Sequence, residues 1–102
     1  MSQVRIAEPH CISEEVLTVA DTAVGFATLN PPRPPDEAVV QVRDAQISMR
    51  IDGTAPTATV GTFFDALAVF KVTTGKDITN FKAIRTGTVS AKLHIKFFRY
   101  LD

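Results

Sequence analysis

The sequence predicts an all-β fold: a two-sheet antiparallel sandwich, jelly-roll-like, with about eight strands. Two observations carry that expectation. Apolar residues recur with a period of two in several short segments, and clusters of Gly, Pro, Asp and Thr separate those segments. A helix would scatter the same residues around its circumference. The 102 residues fit one domain, 1–102, with extended arms expected at 1–13 and 96–102.

Taken in chain order, Val4 to Ala7 reads as an N-terminal strand. Val16 to Ala20 and Val24 to Leu29 read as a pair joined near Asp21-Thr22. The run Asn30-Pro31-Pro32-Arg33-Pro34-Pro35 cannot sit inside a sheet, because proline lacks the N–H that a ladder needs. It is expected to be a stiff surface crossing, and a proline-recognition motif is the sharper but less favoured reading. Ala38, Val40 and Val42 alternate with Val39, Gln41 and Arg43. After a bend at Asp44-Ala45, Ile47, Met49 and Ile51 alternate with Gln46, Ser48 and Arg50. These segments are two strands, or one long strand with a bulge. Asp52-Gly53 ends them in a turn.

Thr54 to Gly61 is irregular, with room for one helical turn near Phe63 to Leu67. Ala68 to Val72 is a strand closed by Thr73 to Lys76, and Phe81 to Arg85 is another, closed by Thr86-Gly87-Thr88. The clearest strand is the last. Val89, Ala91, Leu93, Ile95 and Phe97 fall on one face, and Ser90, Lys92, His94 and Lys96 on the other.

Composition narrows the function. Hydrophobic residues make up 45% and charged residues 22%, as in an ordinary globular domain. Eleven basic residues balance eleven acidic ones, whereas nucleic-acid binding calls for a basic surplus. Cys11 is the one cysteine, so no internal disulfide can form, which suits a reducing compartment. No apolar run approaches the roughly 20 residues of a membrane span, and Met1 to Glu8 has no signal-peptide pattern. The chain is expected to be soluble and made in a cytoplasm, with no nucleic-acid and no membrane partner.

No catalytic, cofactor or metal site is expected. His10 and His94 are the two histidines, and His10-Cys11 is too small a set for a zinc site, which takes three or four ligands. Neither histidine carries a nucleophile signature, and the glycines form no phosphate-binding motif. Glu14-Glu15 and Asp36-Glu37 read as solvated strand ends, and Asp52 as a turn aspartate. The aromatics say more. If Phe97 faces the core, Phe98 and Tyr100 face outward, where they are either covered by a loop or serve a subunit interface.

One series of segments resembles a known family. Gln46-Ile47-Ser48-Met49-Arg50-Ile51-Asp52-Gly53-Thr54-Ala55-Pro56-Thr57 leads to Val60-Gly61. Ile78-Thr79-Asn80-Phe81-Lys82-Ala83-Ile84-Arg85-Thr86-Gly87 follows, and Val89 to Arg99 closes the chain. This order resembles small virion structural proteins of tailed bacteriophages, over roughly the last 60 residues. The resemblance implies a non-enzymatic β-sandwich accessory protein on the capsid exterior, a cement or decoration protein between major capsid protein subunits, self-associating as a dimer or trimer. A neck or tail accessory protein and a host- or carbohydrate-binding module are the alternatives. The expected contact residues are Phe98, Tyr100 and Leu101, with Pro31, Pro32, Arg33, Pro34 and Pro35 second.

Overall fold

The computed structural model describes residues 8–26 and 35–100, together with the backbone but not the side chain of Leu101. The expected strand Val4 to Ala7, the expected contacts Pro31, Pro32, Arg33 and Pro34, and the Leu101 side chain lie outside the described residues.

Seven strands and one short helix are described: β1 (Glu8–Val19), β2 (Glu37–Arg43), β3 (Ile47–Arg50), β4 (Thr62–Phe64), β5 (Val69–Val72), α1 (Gly75–Asn80), β6 (Lys82–Arg85) and β7 (Ala91–Leu101). They form two antiparallel sheets, ordered β1-β7-β2-β5 and β4-β3-β6. An isolated antiparallel bridge from Val24 to Ala83 adds an eighth extended segment beside β6.

The pairing has a simple logic. The first segment pairs with the last (β1 with β7), Val24 with β6, β2 with β5, and β3 with β4. The chain is thus one long antiparallel ribbon rolled over itself. Rolling places β7 beside β2 and β6 beside β3. This is a jelly roll, and it explains why neighbours in sequence such as β2 and β3 lie in different sheets. Between them Asp44 takes a left-handed backbone (φ 76°), which turns the chain from one layer to the other.

The core lies between the layers. Ala38, Val40 and Val42 of β2 and Ala91, Leu93, Ile95 and Phe97 of β7 face it from the larger sheet. Ile47, Met49 and Ala83 face it from the smaller one. Phe26 and Phe81 stack at 4.3 Å between centroids, and Phe26 meets Phe97 edge-on at 5.3 Å. Phe70 continues the chain of rings, stacking on Phe64 at 4.2 Å. Aromatic side chains thereby tie the two sheets together.

Several expectations are corrected. Phe63 to Leu67 is not a helical turn: Thr62 to Phe64 pair with β3, because the preceding loop folds over that strand and delivers them to its edge. That loop explains buried Ser48, whose hydroxyl donates to the Val60 carbonyl oxygen at 3.1 Å. The expected closure at Thr73 to Lys76 opens α1 instead. There the Thr74 hydroxyl accepts the Asp77 N–H at 3.1 Å, and Ile78 anchors the helix in the core. Glu14-Glu15 is not a strand end but the middle of β1, which runs twelve residues and takes up residues 8–13 of the expected arm. Val89 precedes β7 and is exposed.

Candidate interaction surface

The outward face of the larger sheet follows from the alternation of β7. With Ala91, Leu93, Ile95 and Phe97 inside, Lys92, His94, Lys96, Phe98 and Tyr100 must point out. Register then assigns their neighbours, since residues opposite one another share a face. Lys92 lies between Thr18 and Arg43, His94 between Val16 and Gln41, and Lys96 between Glu14 and Val39. On the far side of β2, Gln41 faces Val69 and Val39 faces Lys71. Phe98 lies between Cys11 and Glu37, and Tyr100 opposite Pro9.

Beyond Glu37 the sheet narrows to a two-stranded ribbon of β1 and β7. The register shift between Cys11 and Ser13 marks a bulge that keeps both Cys11 and Glu14 on the outward face. The ribbon is held to the body by acidic side chains. The Tyr100 hydroxyl donates to Glu37 Oε2. Lys71 Nζ lies 3.5 Å from the other Glu37 oxygen. Asp36 Oδ2 accepts the Tyr100 N–H at 2.9 Å, and the Asp36 N–H donates to the Phe98 carbonyl oxygen at 2.9 Å. Glu37 is only 8% exposed although it faces outward, because Tyr100 and Lys71 cover it. The bond to Glu37, with partial burial and the nearby charges of Glu37 and Asp36, holds the Tyr100 phenol above its ordinary pKa.

In the middle of the face, His94 Nε2 lies 3.3 Å from Glu14 Oε1. Val39, Gln41, Arg43, Val69, His94 and Lys96 line a shallow depression of about 250 Å³. Val69 within it is 60% exposed, and Val16, across from His94, is 64% exposed. This surface has an apolar centre, cations around it and aromatics at one end, the make-up of a protein-binding patch. The His94–Glu14 pair lies on an open sheet face, with His94 at the wall of the depression. Among the described residues, no group of three or more His, Cys, Asp or Glu is placed to hold a metal ion.

No family model, no curated protein and no solved structure matches this chain.

The expected contact residues fare unequally. Phe98 is half-buried on the outward face and Tyr100 is 44% exposed, so both reach the surface. Pro35 does not: its side chain is fully buried, which removes it as a contact residue. Sequence reasoning missed Val16, Val39, Val69 and Arg43 as parts of the same surface. The alternation of each strand was visible, but which strands lie side by side was not. His94 stands among the lysines of the wet face, as its place in the alternation implies.

Proposed function

We propose that this protein is a non-enzymatic virion structural protein of a tailed bacteriophage. In this reading it stabilises the capsid from outside, as a cement or decoration protein bound between major capsid protein subunits. The observation that carries the reading is the β1/β7 ribbon, which extends past the end of β2 and presents Phe98 at its base and Tyr100 beyond β2 on its outward side. Such a ribbon offers a neighbour both side chains and a strand edge. The resemblance over the last 60 or so residues supports the same role, and a jelly roll is an architecture that capsid proteins use. Self-association as a dimer or trimer through this ribbon would multiply a weak single contact across a symmetric shell.

The test is retention on particles. Capsids purified without this protein are mixed with wild-type, Phe98→Ala or Tyr100→Ala protein and sedimented. Wild type co-sediments at a copy number proportional to the capsid subunits, and each variant is retained at least tenfold less, as expected for loss of an aromatic contact of about 1.4 kcal/mol or more. A copy number near that of one ring per particle would move the protein to the neck or tail. Equal retention of all three proteins would remove the ribbon from the interface.

A further inference from the structure

The end of the outward face opposite the ribbon has a charge arrangement that the described carboxylates do not satisfy. Arg43 and Lys92 stand directly across from each other on β2 and β7. Like charges at such a position repel, which costs stability. On the other side of Lys92 is Thr18, a neutral residue. The Arg43 guanidinium donates through Nε to Gln41 Oε1 at 3.0 Å, a neutral acceptor. Neither cation forms an ion pair with a described carboxylate. Elsewhere on the same face the carboxylates are engaged, Glu37 with Lys71 and Glu14 with His94. The chain as a whole is neutral, so this cationic end is a local concentration and not a by-product of overall charge.

We propose that this end of the larger sheet docks a carboxylate-bearing protein surface, with Arg43 and Lys92 receiving the acidic groups and Val69 and, further along the same depression, Val39 the apolar ones. The inference rests on the structural-protein reading and names the chemistry of the partner. Charge complementarity selects the occupant. A second copy docked face to face about an axis through this end would bring Lys92 and Arg43 against the same cations. A nucleic acid would leave exposed Val16 and Val69 against phosphates, and the face's aromatics, Phe98 and Tyr100, lie at the far end. An acidic protein surface satisfies both the cations and the valines.

The experiment is an amide chemical-shift titration of the labelled full chain. The probes are a decapeptide of alternating Glu and Val, taken to millimolar concentration, and a DNA duplex of equal charge. The expected result is peptide-induced shifts at Lys92, Arg43, Val39 and Val69 that vanish in high salt, with weaker or scattered shifts from the duplex. Arg43→Gln/Lys92→Gln weakens peptide binding at least tenfold while its melting temperature stays at or above that of wild type, because the repulsion is gone. No shifts at this face, or tighter binding of the duplex, overturns the proposal. Sedimentation with capsids separates the two readings. Peptide binding by a protein that no capsid retains overturns the virion role alone, and capsid retention without peptide shifts overturns the acidic-partner assignment alone.

Discussion

At Gly61 the backbone adopts φ +147°, and an added Cβ would lie 2.2 Å from the Ser48 hydroxyl and 3.0 Å from the Met49 carbonyl oxygen. This close approach lets the loop close over β3. Gly61→Ala is therefore expected to cost about 2–3 kcal/mol, from strain and overpacking together, in urea unfolding. Adding Ser48→Ala should recover only part of the loss, because the backbone contact and the φ remain. Leu67 is the opposite case. It is 75% exposed and left-handed at φ 76°, so its side chain gains little from the fold while its backbone is strained. Leu67→Gly should stabilise the protein by roughly 1 kcal/mol, read as a higher urea midpoint at unchanged slope. Tyr100 supplies a pH dependence. Its phenol pKa is raised in the folded state by the bond to Glu37. That contribution is complete below the ordinary tyrosine pKa and fades as pH rises through the folded value. The melting temperature of wild type should thus exceed that of Tyr100→Phe near neutrality, with the gap closing in strong alkali.

At the level of elements, α1 and β3 show what determines legibility in the sequence. The strands with clean alternation, β2 and β7, could be read almost residue for residue, because half-buried strands sort their side chains by parity. The helix could not be read by periodicity, since six residues complete fewer than two turns. Its signal was local: Thr74 three residues before Asp77, a capping pattern ahead of Ile78. Thr74→Ala should cost about 1 kcal/mol. Amide exchange should then rise across residues 75–80 more than in β7, since the cap serves the helix alone. Ser48 misled for a different reason. Its parity put it on the face of β3 opposite Ile47 and Met49, correctly, yet that face is not wet at Ser48, because a loop distant from the strand's own pattern folds back over it. The candidate surface was half legible by the same logic. Phe98 and Tyr100 follow from the parity of one strand, whereas the Arg43–Lys92 opposition depends on strand order, which no single segment encodes.

At the level of the molecule, β7 is the member on which the rolled ribbon depends: it pairs with the first strand on one side and with β2 on the other. Closing the first strand onto the last requires long-range contacts throughout, so folding should fall in the millisecond-to-second range typical of such topologies. The two phenylalanines at its end test the register and the function together. Phe97 is fully buried and meets Phe26 edge-on, whereas Phe98, one residue on, faces outward and is half-buried. Phe97→Ala should remove about 3–5 kcal/mol, a large share of the roughly 5–15 kcal/mol that a domain of this size possesses. Phe98→Ala should cost only about 1 kcal/mol, yet it should be the variant that fails to stay on capsids. A register one residue away would reverse the stability order, since a slip carries each side chain to the opposite face. Urea unfolding of the two variants, set beside their retention on capsids, therefore separates the residue that holds the sandwich together from the one offered to a neighbour.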